Sequence, residues 1–472
     1  MSAPDSGLPV GRCRVAVAGG GWAGCAAAVE LAGGGARVTL IEAARSLGGR
    51  ARGVEVQGKM LDNGQHILLG AYGETLRQLA RVGIDPDQAL LRLPVQMRYP
   101  EGSGGMDFVA PRWPAPLHLL AALVRAKGLA RADKLALARF TTAARTMGWV
   151  LYKDCSVDEL LERFGQTARL NRLLWHPLCI AALNTPPERA SAKVFLAVLR
   201  DSLGAKRRAA SDMLLPRMDM GALFPQAAAR FVEQHGGAVR LGCKLTAAAP
   251  TDSGWRLSLT DGDAEFDALV LATPATQSAA ILAPHAQDVA AQLAALAYEP
   301  IATCYLEYDP SVRLDLPFYA LLDDPAQGRW GQFAFDRGQL DATQPGLLAV
   351  VVSAAAEAAA LDQGAVGKMI AAQLAHDLRR PELATPQWTR VITEKRATFS
   401  CTPGLLRPGN ETPLPGVVLA GDYTAGDYPA TLETAVQSGL AAATLIRAYG
   451  KRPPEKRRLS HTDGGQEPTS VK

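Results

Sequence analysis

The sequence is poor in cysteine and histidine, and neither residue is arranged as a set of ligands. Seven cysteines and seven histidines are scattered over 472 residues, without a CxxC or an HxxxH pair. An odd, scattered set of cysteines predicts reduced thiols in the core rather than a disulfide framework. The same spacing predicts no metal site, because neighbouring ligands normally lie a few residues apart on one element.

Long apolar runs and a strong charge of one sign are also missing. No stretch reaches the roughly 18 uninterrupted apolar residues of a membrane-spanning helix, and the first apolar run is short and broken by glycines, unlike a signal peptide. The net charge of +4 is too small to indicate a nucleic-acid partner. These absences predict a cytoplasmic protein, and 472 residues with 48% hydrophobic content suffice for two large lobes.

A glycine-rich turn near the N-terminus is the most informative feature present. Val15–Ala18 predicts a buried parallel strand, and Cys25–Ala32 predicts the helix that follows. We expect Gly19 to make the tight turn, Gly21 to leave room for a pyrophosphate, and Gly24 to let the helix pack closely on the strand. The N-terminus of that helix would then face the phosphates.

An acidic residue and a second glycine turn complete the pattern. Glu42 ends the next predicted strand, eighteen residues after Gly24, where a carboxylate can accept hydrogen bonds from a ribose. Gly48-Gly49-Arg50 follows, and it offers a close backbone approach together with a guanidinium for phosphate. The combination predicts a dinucleotide site, and the alternative is a βαβ unit that binds nothing.

The same segments resemble a known family. Glu42 with Gly48-Gly49-Arg50 resembles the second fingerprint of the FAD-dependent amine oxidase and carotenoid desaturase superfamily. Further stretches resemble that superfamily in the expected order along the chain, at 239–245, 267–274, 416–422 and 431–439. The resemblance implies an α/β fold, in which a Rossmann-type FAD-binding domain carries an inserted α+β substrate-binding lobe.

The resemblance also implies FAD as the cofactor. Asp422 would hold the ribityl–phosphate region, and Leu245 would touch the adenine through its backbone. The helix that begins near Thr431 would point its positive end at the flavin ring, where it stabilises negative charge. The implied cofactor-binding residues are Gly19, Gly21, Trp22, Ala23, Gly24, Glu42, Ala43, Gly49, Arg50, Gly64, Gln65, His66, Leu245, Gly421, Asp422, Thr431 and Leu432.

A narrower resemblance points to one branch of the superfamily. Residues 61–72, 175–185 and 426–433 resemble the corresponding segments of bacterial hydroxysqualene dehydroxylases. This implies a hydrophobic isoprenoid substrate whose allylic hydroxyl is removed by reduction. An acid would protonate the leaving hydroxyl, and the reduced flavin would supply a hydride. The sequence does not identify the electron donor.

Asp427 and His66 are the candidate catalytic acids. His66 lies in the loop that resembles the flavin-facing segment, and its alternative role is a structural hydrogen bond to the backbone. Asp427 precedes Tyr428, and its alternative role is a contact that caps a helix. His176 is a third candidate. The aromatic residues that could face a cation, or simply pack in the core, are Tyr72, Tyr428 and Trp175.

Other activities remain open at this stage because one fold supports many chemistries. A polyene desaturase would use the same flavin in the opposite direction. An amine oxidase often needs a lysine beside the flavin, and Lys395 is placed where such a lysine could fall. A non-catalytic prenyl-protein chaperone shares the fold, but a binding module has no reason to keep the pyrophosphate glycines and the ribose acid.

The matched segments divide the chain into alternating pieces. The predicted FAD domain consists of residues 12–82, 217–284 and 392–448, and the predicted substrate lobe consists of residues 83–216 and 285–391. The first insertion is helix-rich, whereas the second mixes strands with a helix from Ala354. Residues 328–335 alternate like a strand. The polar stretch 449–472 predicts a disordered tail.

Residues 112–145 combine basic and apolar side chains. They hold seven Lys or Arg residues against a single acid, Asp133, together with Trp113 and several leucines. This composition suits a helix that lies on an anionic membrane surface, such as the inner face of the cytoplasmic membrane. The alternative is an ordinary lobe helix with a solvated basic face.

Overall fold

Short strands and helices alternate along residues 13–451, which the computed structural model describes. The strands are β1 (Arg14–Ala18), β2 (Arg37–Glu42), β3 (Gly53–Val56), β4 (Lys59–Asp62), β5 (Leu68–Leu69), β6 (Leu90–Leu93), β7 (Gln96–Arg98), β8 (Asp107–Val109), β9 (Met213–Pro216), β10 (Ala238–Leu241), β11 (Leu245–Thr251), β12 (Gly254–Leu259), β13 (Ala264–Phe266), β14 (Ala268–Leu271), β15 (Tyr298–Glu307), β16 (Phe318–Ala320), β17 (Phe333–Asp336), β18 (Leu347–Val352), β19 (Trp388–Phe399) and β20 (Val417–Leu419). The α-helices are α1 (Trp22–Gly33), α2 (Gly73–Arg81), α3 (Pro86–Ala89), α4 (Leu117–Arg125), α5 (Arg131–Thr146), α6 (Val157–Arg163), α7 (Ala168–Leu170), α8 (His176–Leu183), α9 (Ala192–Ser202), α10 (Met220–Leu223), α11 (Pro225–Gln234), α12 (Ala275–Leu282), α13 (Gln287–Ala294), α14 (Ala356–Ala360), α15 (Gln363–Asp377) and α16 (Leu432–Gly450).

A parallel sheet forms the base of the cofactor domain. Its strand order is β10-β2-β1-β14-β20, so the strands come from three distant stretches of the chain. Val17 of β1 lies between Leu40 of β2 and Val270 of β14. These strands are apolar because both faces of the sheet are buried. One face packs on α1, which contacts α11 and α16, and the other packs on β12 and β13 of the small antiparallel sheet. The predicted Rossmann-type architecture is therefore confirmed.

An antiparallel sheet of order β16-β17-β18-β15-β19 forms the floor of the second lobe. Alternate side chains of its strands point to opposite faces. Cys304 and Val350 pack against Ile370 of α15 on one face, whereas Phe333 and Val351 turn toward an interior cavity on the other. Because side chains alternate along each strand, one face of this sheet packs in the core and the other face lines the cavity.

The first insertion is helix-rich, and its helices cover this cavity from the other side. Helices α4 to α9 occupy residues 117–202, and a π-helical turn at Asn171–Trp175 joins α7 to α8. Trp175 packs edge-on against Phe140 of α5, with ring centroids 4.8 Å apart. Within residues 13–451, no helix is both long enough and apolar enough to cross a bilayer.

Two predicted elements end differently in the structure. Residues 328–335 do not form one strand: only Phe333–Asp336 is extended, because Gly328 has a φ of +71° and Arg329 pairs with Asp324 across a turn. The last helix continues through Gly450, two residues into the predicted tail. The rest of that tail, residues 452–472, lies outside the described residues.

Candidate active site

The first glycine turn combines two tight contacts with one open position. A side-chain carbon on Gly19 would clash with the carbonyl of Ala272, and Gly19 has a φ of +108°. A side-chain carbon on Gly24 would clash with the carbonyl oxygen of Gly19. On Gly21 it would meet nothing closer than the Cα of Gly49, at 3.9 Å. Gly21 is the N-cap of α1 and lines the cavity together with Gly49, so the open space beside these glycines fits a pyrophosphate at the helix N-terminus.

Glu42 is fixed beside this gap by backbone hydrogen bonds. Its two carboxylate oxygens accept from the N–H groups of Gly20 at 2.7 Å and Ala44 at 2.8 Å. Each oxygen keeps a second lone pair, so the carboxylate can still accept from ribose hydroxyls. Trp22, Ala23 and Ala43 also line the space, and Leu245 borders it from β11.

Arg50 links the second glycine turn to the last strand of the sheet. Its guanidinium donates to Asp422 at 2.5 Å and to the carbonyl of Ala397 at 2.8 Å. Burial by itself would lower the pKa of Arg50. The adjacent carboxylate of Asp422 outweighs this effect, so the pKa lies above its usual value. A fixed positive charge therefore borders the cavity, near Gly421, where an anionic diphosphate would lie.

Helix α16 points its N-terminus at the same cavity. Thr431 caps this helix by accepting from the N–H of Thr434 at 3.2 Å, and Leu432 is the first helical residue. Both Thr431 and Leu432 line the cavity. The neighbouring Glu433 turns away and accepts from the backbone N–H groups of Glu74 and Thr75. The positive end of the helix therefore faces the cavity, where it would stabilise negative charge on a flavin ring.

The loop at residues 63–66 supplies polar groups to the cavity wall. Gly64, Gln65 and His66 all line it. Burial lowers the pKa of His66 to about 4, although a backbone hydrogen bond at Gly64 opposes this, so the imidazole is neutral at pH 7. Its buried Nδ1 has no hydrogen-bond partner among the described residues. A bound group is the natural partner for such an atom, because unpaired buried polar atoms are costly.

One continuous cavity of about 920 Å³ joins these cofactor motifs to the second lobe. Beyond the polar residues its wall becomes apolar and aromatic. The lining of that part includes Leu119, Leu120, Leu123, Phe140, Trp175, Leu178, Phe318, Phe333, Phe335 and Val351. A cofactor held by the glycine turns would therefore share its space with an apolar ligand.

The structure does not bring the two predicted acids together. The side chain of Asp427 is 75% exposed, lies 3.8 Å from Arg200, and stands outside the residues that line the cavity. Its neighbour Tyr428 does line the cavity, and the phenol donates to Asp201. Burial raises the pKa of Tyr428 and the Asp201 carboxylate raises it further, so the phenol keeps its proton. Motif reasoning missed Asp201, because it lies at the end of α9 with no sequence signature.

Two other residues singled out from the sequence lie outside the cavity wall. His176 sits 2.8 Å from the carboxylate of Asp158. Lys395 is exposed, whereas its neighbours Glu394 and Arg396 line the cavity. Trp175 reaches the cavity, and its indole N–H donates to Gln166 at 2.9 Å. The lysine expected of an amine oxidase is therefore not supplied by Lys395 here.

The fold and this cavity define an FAD-binding oxidoreductase of the two-lobed type. The sequence model of the flavin containing amine oxidoreductase family matches residues 22–447. The chain belongs to that family and is an FAD-dependent oxidoreductase.

Named relatives cover almost the whole chain. A hydroxysqualene dehydroxylase of Rhodopseudomonas palustris is 30% identical, over 93% of this chain and 99% of the relative. One from Zymomonas mobilis is 25% identical, over 92% and 99%. A 15-cis-phytoene desaturase of an Oncidium hybrid is 23% identical, over 95% and 80%.

Solved structures agree on the fold. A putrescine oxidase shares it with a TM-score of 0.65 at 20% identity, over 93% of this chain and 99% of that one. An oxidoreductase of Methanosarcina mazei has a TM-score of 0.70 at 14% identity, over 91% and 99%. At such low identity these structures are similar in architecture, and they carry no argument about substrate.

Proposed function

We propose that this protein reductively removes the hydroxyl group of hydroxysqualene to give squalene. The observation that carries the proposal is the single cavity, whose polar end fits FAD and whose other end is apolar and aromatic. The relatives named hydroxysqualene dehydroxylase support the same substrate. The overall reaction is balanced as alcohol plus two electrons and two protons giving hydrocarbon and water. Bound FAD supplies the two-electron hydride chemistry.

The apolar wall contributes by keeping water away from the reacting carbon. Loss of water from a protonated allylic alcohol leaves a cationic carbon, which water would capture if it were present. Phe333, Phe335 and Leu178 offer no hydrogen-bonding group to retain a water there. Tyr72 and Tyr428 also line the cavity, and the face of an aromatic ring attracts a cation.

The leaving hydroxyl needs a proton, and three residues are proposed as its source. Asp427 and His66 are the acids that the sequence suggests. Tyr428 joins them because it lines the cavity and keeps its phenol proton, which it shares with Asp201. His66 lines the cavity as a neutral imidazole, because burial lowers its pKa to about 4, so it must take up a proton before it can act as the acid. Asp427 would have to turn inward from the surface. Three variants separate these roles: Asp427→Asn, His66→Gln and Tyr428→Phe. The variant that lacks the true acid should retain FAD, but its turnover should be roughly 10²–10⁴-fold lower.

The direct test is an anaerobic reaction of the FAD-loaded protein. Chemically reduced protein and hydroxysqualene should give squalene, identified by mass, without added oxygen. In deuterated water the squalene should gain one deuterium at the carbon that has lost oxygen, because the transferred hydrogen of reduced FAD exchanges with solvent. If squalene does not form, the proposal is wrong.

A polyene desaturase is the second candidate, since relatives named phytoene and zeta-carotene desaturase match 93–95% of the chain. Oxidised protein would then become reduced on mixing with a saturated or less unsaturated polyprenyl chain. The prenyl-protein chaperone is disfavoured, because Gly21, Glu42 and Arg50 all remain in place around the cavity.

We also propose that α4 and the start of α5 rest on an anionic membrane surface. Trp113, Leu117, Leu120, Val124 and Leu135 are each between 47% and 67% exposed. Arg125, Lys127 and Arg131 are exposed beside them, whereas the acid Asp133 is buried and accepts from Ala130 and Thr167. This surface is called the basic apolar patch below. Leu117 and Leu120 also line the cavity, so a water-insoluble substrate could pass from lipid to the site.

A further inference from the structure

Arg337 is a buried guanidinium that holds two amides. Only 2% of it is exposed, and it lies in a short turn between β17 and β18. Its Nη1 donates to the Oε1 of Gln65 at 3.0 Å, and its Nε donates to the Oε1 of Gln344 at 3.0 Å. Among the described residues, no carboxylate lies within 4 Å of it, although the buried carboxyl of Asp62 interacts with its charge from farther away. Burying such a charge is costly, so the arrangement needs a reason.

The two amides differ in where their other ends lie. The Nε2 of Gln344 donates to the carbonyl of Met60 at 3.0 Å and to Asp341 at 3.1 Å, away from the cavity. Gln65 lines the cavity. Its Nε2 contacts only the carbonyl of His66, at 3.5 Å, among the described residues. That distance is at the outer limit of a hydrogen bond, so at least one of its two N–H donors has no good protein partner.

The chemistry of arginine settles which way Gln65 points. A guanidinium has five donors and no acceptor, so only the amide oxygen of Gln65 can face Arg337. The nitrogen is therefore turned to the other side. We propose that Gln65 donates a hydrogen bond to the group bound in the cavity beside loop 63–66, and that Arg337 is the positioning residue that orients it.

The partner of Gln65 would be an oxygen or nitrogen acceptor. Two bound groups provide one: the flavin ring, whose acceptors become more electron-rich on reduction, and the substrate hydroxyl. The first does not depend on the identity of the substrate. The second rests on the proposed function above.

Three variants of the FAD-loaded protein test the proposal. Gln65→Met removes the donor, Arg337→Met releases the amide, and Arg337→Lys keeps a donor-only cation. Gln344→Leu is the matched control, because it also deprives Arg337 of an amide oxygen but leaves Gln65 alone. Thermal unfolding is measured for all of them, so that a general loss of stability is recognised.

The first measurement is the reduction potential of the bound flavin without substrate. If Gln65 donates to the flavin, Gln65→Met and Arg337→Met should both lower the potential, because a donor that favours the reduced ring is lost. Arg337→Lys should restore part of the shift, and Gln344→Leu should leave the potential unchanged. This outcome stands even if hydroxysqualene is not the substrate.

The second measurement compares binding of hydroxysqualene and squalene to the oxidised protein. If Gln65 donates to the substrate hydroxyl, Gln65→Met should weaken the binding of hydroxysqualene about tenfold, which corresponds to the loss of one hydrogen bond. Squalene, which lacks the hydroxyl, should bind as before. Should one variant fail to fold, the other carries the test, because each removes the same donor by a different route.

The proposal is overturned if neither the potential nor the binding ratio changes in Gln65→Met. It is also overturned if Gln344→Leu shifts either quantity as much as Gln65→Met does, because Arg337 would then act only as a structural link. Failure of wild-type protein to bind hydroxysqualene counts against the proposed function, and the potentials still decide the role of Gln65.

Discussion

Single residues near the cavity divide into those that the fold requires and those that the ligand requires. Gly24 belongs to the first group, because any side chain there would clash with the backbone of Gly19. Gly21 belongs to the second, because the space before it is open until a ligand fills it. A substitution at each position should therefore have a different effect.

We expect Gly21→Val to abolish FAD binding while the apoprotein still folds. The new side chain would enter the open part of the cavity beside Gly21, which the pyrophosphate needs. Purified variant protein should be colourless and should gain no flavin absorbance on adding FAD, with a circular dichroism spectrum like that of the wild type. Gly73→Ala, at another open position, is the control and should stay yellow.

Asp62 gives a prediction about pH. Burial raises the pKa of this carboxyl to about 7, although the charge of Arg337 and the N–H of Met220 oppose the shift. The folded state therefore keeps a proton between about pH 4 and 7 that the unfolded state has lost, so stability falls as pH rises through this window.

Asp62→Asn should remove that loss. Relative to the wild type, the free energy of unfolding of the variant should rise by roughly 2–4 kcal/mol as the pH is raised from 4 to 8, since one pKa unit corresponds to about 1.4 kcal/mol. Denaturant unfolding at several pH values measures it. Asp252→Asn, which changes an exposed acid, is the control and should show no such trend. If the free energy of unfolding of Asp62→Asn varies with pH in the same way as that of the wild type, the assigned pKa is wrong.

At the scale of elements, the periodic patterns were informative where one face of the element is buried. The pattern of Leu117, Leu120 and Val124 predicts a helix, and α4 contains all three. The pattern of residues 328–335 predicts a strand, yet half of it forms a turn around Gly328. Alternation alone does not distinguish a strand from an extended approach to a turn.

The basic apolar patch gives a prediction at this scale. The protein should co-sediment with vesicles that contain anionic lipid, and salt should weaken the binding, because each basic residue near such a surface contributes about 1 kcal/mol. The triple change Arg125→Gln, Lys127→Gln and Arg131→Gln should release it. Lys134 is kept, because its ammonium donates to the carbonyl of Val124 at the end of α4.

A matched triple change controls for net charge. Arg37→Gln, Arg230→Gln and Lys368→Gln remove the same charge from exposed positions elsewhere, and binding should persist. Equal loss in both variants would mean that general charge, and not this patch, attaches the protein.

At the scale of the whole molecule, the cavity wall is built from both lobes. The parallel sheet and its helices supply Gly21, Glu42 and Thr431, and the second lobe supplies Phe333 and the helical cover. A ligand in this cavity touches elements that are distant in sequence, so its binding should stabilise the whole fold.

FAD should therefore raise the free energy of unfolding. At a free concentration 100 times the dissociation constant, linkage gives about 2.7 kcal/mol. Thermal or denaturant unfolding with and without added FAD measures this gain. Gly21→Val should show none of it, and an equal gain in that variant would place the binding elsewhere.

The sequence by itself determined the cofactor domain. Gly19 needs a positive φ, and Gly24 packs on the carbonyl of Gly19 five residues before it, so the roles of the glycines at 19, 21 and 24 could be predicted from their spacing. Glu42 and Arg50 follow at fixed positions after them, and both border the cavity. Resemblance at the distant segments then predicted the family.

Only the tertiary structure decided which side chains meet in the cavity. Asp427 and Tyr428 are adjacent in sequence, yet one faces solvent and the other faces the cavity. Arg337 reaches Gln65 across 272 positions of the chain, and Asp201 reaches Tyr428 across 227. Such contacts cannot be predicted from a local sequence pattern, because they depend on how separate elements pack. Packing also fixes the direction in which each side chain points.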